Sequence, residues 1–213
     1  ASFDVPADPS SAAIRNAAAL LVPGSDIVLP GIALNPTRTG FLRVLTRMGA
    51  LIDADVDAEG GAAASVEPRG TVRARYSSSL IGTTVTADEV PALIDEVPIL
   101  AIIAATAWDA TRFEGVGELR VKESNRLAAL VGALQALGAA ADAAGDTLVV
   151  HGPTAFSGAE LDSLGDHRLA MAYAVAGLAA QGQVVIDGFE AIDVSYPSFP
   201  SDITALAVDG SIG

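Results

Sequence analysis

The run Glu118-Leu119-Arg120-Val121-Lys122-Glu123-Ser124-Asn125-Arg126-Leu127 contains the only lysine of the 213-residue chain, set between two arginines. Carboxylates stand beside it, so the segment carries the groups needed to hold an anion and to move a proton next to it. Leu127, Leu130, Val131, Leu134 and Leu137 follow at helical spacing and stop at Gly138, which predicts an amphipathic helix beginning near Lys122. There the cations face the positive end of the helix dipole, and Lys122 with Arg126 forms a like-charge pair four residues apart that costs about 0.2–0.5 kcal/mol. A bound anion would reverse both penalties. The same helical wheel puts Glu123 on the apolar stripe, where burial would raise its pKa toward a range useful for acid–base work. The competing reading has Glu123 merely complementing the dipole while the cations are solvated.

Other cations share this placement. Asp8-Pro9-Ser10, Asn35-Pro36-Thr37 and Asp166 mark helix starts, and Asp166 is read as the cap of its helix. Arg15, Arg38, Arg126 and Arg168 fall in or near the first two turns of separate helices, the end where the dipole disfavours them. Such placement predicts helix N-termini converging on one anion, with backbone N–H groups added to the guanidiniums. Chance placement of solvated arginines is the alternative.

The elements that must position these residues repeat. Three blocks join an Ala-rich helical run, a short strand and a glycine just beyond it, namely Gly31, Gly115 and Gly188. A second helix follows each, and the first two end alike, as Met48-Gly49-Ala50 and Leu137-Gly138-Ala139. The third copy is shorter, with its helix near residues 199–208 and a stub at 210–213. Three strand-helix-strand-helix-strand-strand units fit, the last incomplete, arranged around one core. Gly60-Gly61-Ala62 reads as a hairpin tip. No linker or low-complexity segment interrupts the chain, so residues 1–213 read as a single domain.

With 51% apolar residues the chain can build a substantial core. Its net charge of −14 disfavours nucleic acid or an anionic membrane as partner and leaves the few cations as local exceptions. Without cysteine there is no disulfide framework, thiolate nucleophile or cysteine-bound metal. With no run of 18 apolar residues either, the expectation is a cytoplasmic protein.

The motif Leu119–Leu127, followed by Asp166-His167-Arg168-Leu169-Ala170-Met171, resembles the enolpyruvyl transferases, specifically the 5-enolpyruvylshikimate-3-phosphate (EPSP) synthase family. The likeness extends through Asp8-Pro9-Ser10-Ser11, Asn35-Pro36-Thr37-Arg38-Thr39-Gly40, Ile94-Asp95-Glu96-Val97-Pro98-Ile99 and Tyr196-Pro197. The Asn-Pro-Thr-Arg-Thr-Gly run is similar to a bacterial branch that includes enzymes tolerant of glyphosate. The resemblance covers only the second half of the family's chain. It implies an α/β fold, an inside-out α/β barrel of three such units with helices inside and sheets outside. It also implies a first domain, absent here, that holds shikimate 3-phosphate, and strands for the third unit taken from the far N-terminus. The implied reaction joins the enolpyruvyl group of phosphoenolpyruvate to the 5-hydroxyl of shikimate 3-phosphate, needs no cofactor or metal, and would be negligible for this half alone.

The resemblance assigns Asp95 as the base for the 5-hydroxyl, although read by itself it is a capping or surface aspartate. Lys122 would stabilise developing negative charge or relay a proton, and Glu123 would exchange the proton at the methylene carbon. Arg126 and Arg168 would clamp the phosphoenolpyruvate carboxylate, for which a planar guanidinium suits better than an ammonium. His167 is either a cation beside phosphate or a neutral support. Glu118 stands where many relatives have an asparagine that contacts the shikimate ring. His151 reads as structural. Two positions depart from the family: Asn125 replaces a common aspartate, and Val194 replaces a common lysine. A UDP-N-acetylglucosamine enolpyruvyl transferase fits poorly, because that branch uses a loop cysteine. A non-catalytic anion-binding or scaffold domain of the same fold remains the alternative of a different class.

Overall fold

The computed structural model describes residues 5–57 and 67–209, the last four as backbone only; the expected hairpin tip at 60–62 and the stub at 210–213 lie outside the described residues. Three helices carry few polar residues and are buried along most of their length, as suits an interior position. They are α1 (Pro9–Leu21), α3 (Val97–Thr106) and α5 (His167–Ala179). In α3 every residue from Val97 to Ala105 is buried. The three pack against one another, with Ala12, Ala17, Ala101, Ala104, Ala170 and Ala176 among their fully buried residues. Small side chains there let helix backbones approach closely.

Sheets cover this centre. The first has the order β1-β3-β2, from β1 (Asp26–Ala33), β2 (Leu51–Val56) and β3 (Arg69–Arg75), all antiparallel. The second, β4-β5-β7-β6, joins β4 (Thr84–Val85), β5 (Asp109–Phe113), β6 (Ala140–Ala144) and β7 (Thr147–Gly152). The third pairs β8 (Ser157–Asp162) with β9 (Gln181–Asp187). Each inner helix lies between two segments that run parallel: β4 with β5, β8 with β9, and a single bridge from Ala7 to Ile32 in the first unit. Burial alternates along β3 and β7, as expected of sheets with one face on the core. The expected units are therefore present, with helices inside and sheets outside. Among the described residues the strands form three separate sheets rather than one closed barrel.

Glycine chemistry fixes the repeat. Gly31, Gly115 and Gly188, picked out by their equivalent places, have φ of 70°, 71° and 73°, a conformation that disfavours any side chain. The outer helices α2 (Gly40–Arg47) and α4 (Arg126–Ala136) end on Gly49 and Gly138, also left-handed, with Ala50 and Ala139 N–H groups closing back on the Leu45 and Leu134 carbonyls. The last helix, α6 (Phe199–Asp209), ends the described third unit. No helix among the described residues is long and apolar enough to cross a membrane.

One expectation fails. The helix after the lysine segment starts at Arg126, not near Lys122, and Gly117–Val121 forms a 3-10 turn. The reason is Asn125, whose side-chain oxygen accepts the Ala128 N–H at 3.2 Å and caps the helix. Lys122 and Arg126 are thus not a helical pair. Asparagine caps about as well as the aspartate it replaces, so the departure from the family is neutral for the helix. Asn125→Ala should cost about 1 kcal/mol of stability, read from urea unfolding.

Candidate active site

The N-terminal ends of four helices meet at one network of charges. Asp95 lies in a 3-10 turn, Ile94–Glu96, that leads straight into α3. Its carboxylate faces three cations: Arg126 Nη1 at 3.4 Å, Arg168 Nη2 at 3.4 Å and Lys122 Nζ at 3.7 Å. Asp95 is not the side-chain cap of α3, where Glu96 occupies the cap position. The three cations are graded in depth: the Arg126 side chain is 0% exposed, Arg168 19% and Lys122 23%.

Arg126 opens α4 and is the largest fully buried side chain. Asp166, also fully buried, takes its Nε at 2.8 Å and its Nη2 at 3.2 Å. The same carboxylate caps α5 by accepting the N–H groups of Arg168 and Leu169, and it accepts the Ser124 hydroxyl at 3.2 Å. Burial alone would raise the Asp166 pKa. The hydrogen bond and charge of Arg126 with the two backbone N–H groups outweigh it and hold the carboxyl below its ordinary range. The expected cap is present and doubles as the counter-charge of a buried guanidinium.

Glu123 and Glu118 form the outer rim. Glu123 Oε2 accepts Arg126 Nη2 at 2.5 Å, yet the Glu123 side chain is 53% exposed, so the expected burial on an apolar stripe does not occur. The helix begins beyond Glu123, and the periodicity that placed it inward does not reach back to it. Glu118 pairs with Lys122. That hydrogen bond raises the Lys122 pKa, as do the charges of Asp95 and Glu118, against partial burial and Arg126. Lys122 stays an ammonium at neutral pH. Arg120 stands apart: its Nη2 donates to the Gly145 carbonyl in the β6–β7 turn at 2.7 Å, so only one of the two arginines flanking the lysine belongs to the cluster.

Behind Arg168 lies a second layer that local spacing did not reveal. Glu96, 3% exposed, is 3.6 Å from Arg168 Nη1 and accepts the Ser10 hydroxyl of α1 at 2.5 Å. Arg38, in the turn before α2, donates Nη2 to the same hydroxyl at 3.2 Å. Arg38, Arg126 and Arg168 therefore join one network, whereas Arg15 takes no part in it, and its buried Nε has no hydrogen-bond partner. The signal for Glu96 was its place just before the unbroken apolar run Val97–Ala105. His167, half-buried, has its pKa lowered by burial first and then by the charge of Arg168, which favours a neutral imidazole over a cation at neutral pH. His151 is on β7, opposite Ala110 and Ala140, away from this network. Val194 is 92% exposed.

Chemically, the site holds cations on a rigid frame of helix ends, with carboxylates at both sides of one guanidinium: Asp95 at Arg126 Nη1 and Glu123 at Nη2. Its cations already face carboxylates of the chain. An incoming anion therefore competes with Asp95, Glu118 and Glu123 instead of answering an unmet positive charge.

The family model for EPSP synthase (3-phosphoshikimate 1-carboxyvinyltransferase) matches residues 1–203. The chain belongs to the EPSP synthase family. It is 45% identical over 205 residues to the 3-phosphoshikimate 1-carboxyvinyltransferase of Pelotomaculum thermopropionicum, covering 96% of this chain and 46% of that protein. With the enzyme of the same name from Roseiflexus castenholzii it shares 47% over 199 residues, 93% of this chain and 45% of the relative. An EPSP synthase structure from Acinetobacter baumannii superposes with a TM-score of 0.86 at 36% identity, over 95% of this chain and 46% of the other. The enolpyruvyl transferase NikO of Streptomyces tendae, at 20% identity and a TM-score of 0.72, shares the fold. The chain thus spans about half the length of the EPSP synthases it matches. Family membership accounts for the α/β architecture with helices inside.

Proposed function

We propose that this chain is the phosphoenolpyruvate-binding half of an enolpyruvyl transferase, a single domain that acts with an upstream domain holding shikimate 3-phosphate. The observation that supports it is the meeting of Asp95, Lys122, Arg126 and Arg168 at one point of an EPSP synthase family fold. Arg126 and Arg168 clamp the phosphoenolpyruvate carboxylate, and Lys122, held as a cation, offsets the negative charge that develops as the addition proceeds. Asp95 takes the proton of the 5-hydroxyl as its oxygen bonds to C2 of the enol, while Glu123 protonates the methylene carbon. In the second step Glu123 removes a proton from the resulting methyl group, the C2–phosphate bond breaks and inorganic phosphate leaves. Glu118 and neutral His167 line the substrate side as hydrogen-bonding groups. No cofactor enters these steps, and the setting is the cytoplasm.

The test is phosphate release from phosphoenolpyruvate and shikimate 3-phosphate, by the chain alone and with the upstream half of a family member. Turnover should be negligible alone and appear on mixing. Full turnover by the lone chain contradicts the divided site. Silence of a demonstrably assembled pair supports a non-catalytic anion-binding or scaffold domain instead.

A further inference from the structure

The mechanism above makes no use of Glu96, a buried carboxyl that faces Nη1 of Arg168 while Asp95 faces Nη2. Its neighbours come from every element packed against it. Arg168 of α5 approaches at 3.6 Å, Ser10 of α1 donates at 2.5 Å, and Arg38 reaches it only through that hydroxyl at 3.2 Å. Asp95, next in the chain, is the acidic group that faces it, so Arg168 is shared between two adjacent carboxylates, one half-exposed and one buried.

Such a group has two stable ways to exist. Ionised, it needs Arg168 and Arg38 close by, because an unpaired carboxylate in the interior is costly. Protonated, it needs only an acceptor for its own hydrogen and leaves both guanidiniums free. Burial pushes the Glu96 pKa up, with Asp95 adding to the rise, while the Ser10 hydrogen bond and the charges of Arg168 and Arg38 oppose it. The choice between the two forms thus depends on where Arg168 spends its charge.

We propose that Glu96 is a positioning residue for Arg168: it braces the guanidinium from behind and, by taking up a proton when an anion engages Arg168 in front, sets how tightly that anion is held. The proposal rests on the reading of Arg168 as a ligand for an anionic substrate. It assigns to the Ser10–Arg38 pair, contributed by the first structural unit, the task of tuning this proton exchange.

The experiment has a ligand-free arm and a binding arm. In the free chain, carbon-detected NMR titration of the Glu96 carboxyl should show it titrating above the ordinary glutamate range, and higher still in Arg168→Gln. In the binding arm, phosphoenolpyruvate is titrated into the wild type and Glu96→Gln across neutral pH. The ligand's own phosphate titrates near about pH 6, so the readout is the ratio of the two dissociation constants at each pH. Glutamine imitates the protonated form. The ratio should be near unity at low pH and rise with pH, wild type binding weaker by roughly 10-fold once Glu96 is ionised, a size ordinary for coupled sites. If Glu96→Gln does not fold, Ser10→Ala replaces it, and the pH at which phosphoenolpyruvate binding weakens should lie higher in Ser10→Ala than in wild type.

A ratio that stays flat while wild type binds phosphoenolpyruvate overturns the proposal and leaves the functional reading standing. Coupling of Glu96 to Arg168 in the free chain with no binding by wild type overturns the functional reading, and with it the role given to the brace. A Glu96 carboxyl that titrates in the ordinary range and ignores Arg168→Gln removes the brace itself.

Discussion

Asp166→Asn is expected to lower the stability of the fold by about 3 kcal/mol, the low end for breaking a buried pair, because it removes the fully buried one of the three carboxylates around the Arg126 guanidinium while Glu123 and Asp95 stay in place. Asparagine can still accept the Arg168 and Leu169 N–H groups and so preserves the helix cap, which isolates the charge pair as the cause. Removing the guanidinium as well, Arg126→Met with Asp166→Asn, should restore much of the loss while keeping the cap, since the buried positive charge is gone. The pH dependence has a definite sign. The Asp166 pKa is lower folded than unfolded, so its contribution is present above the unfolded value of about 3.9 and is lost as pH falls through the folded one. Urea unfolding followed by circular dichroism between neutral and acid pH measures this. An Asp166→Asn protein within 1 kcal/mol of wild type, or with the same acid limb, would show that the pair is not what holds the N-terminal ends of α4 and α5 together; that threshold sits well under the roughly 3 kcal/mol lower bound for breaking a buried pair.

The second large effect is on chemistry. Lys122→Met, assayed by phosphate release with the upstream half present, is expected to cut kcat by roughly 10²–10³, the scale for losing one group that stabilises transition-state charge. The fold should survive it, since the Lys122 side chain is partly exposed and its partners Glu118 and Asp95 remain hydrated or paired. The direction follows from the raised Lys122 pKa: a lysine held as a cation supplies charge and is a poor base at neutral pH. A near-normal kcat for Lys122→Met would assign the developing charge to Arg126 and Arg168 alone.

These expectations mark where reading the sequence succeeded. Gly31, Gly115 and Gly188 exposed the threefold repeat because a left-handed backbone selects glycine wherever the unit recurs. The all-apolar stretch Val97–Ala105 forms an interior helix, as its lack of a polar face requires. Arginines at helix starts pointed to convergence, and Arg38, Arg126 and Arg168 do meet. What stayed hidden was the identity of their partners. Glu96 to Ser10 and Arg126 to Asp166 are pairings across 86 and 40 residues, and no local period encodes them. Glu123 was misplaced for a local reason: the wheel was carried back past a capping asparagine, where helical geometry no longer applies. Arg15 and Arg120 shared the composition of the site without sharing its location.

The central claim is that cations from α4, α5 and the lysine segment hold one small acid in a common pocket. Titration of the isotope-labelled chain with phosphoenolpyruvate, followed by amide and guanidinium NMR signals, tests it most directly. The account predicts that resonances of Asp95, Lys122, Arg126, His167 and Arg168 shift together along one binding curve. Separate curves for these residues, or shifts confined to other surfaces, would contradict it.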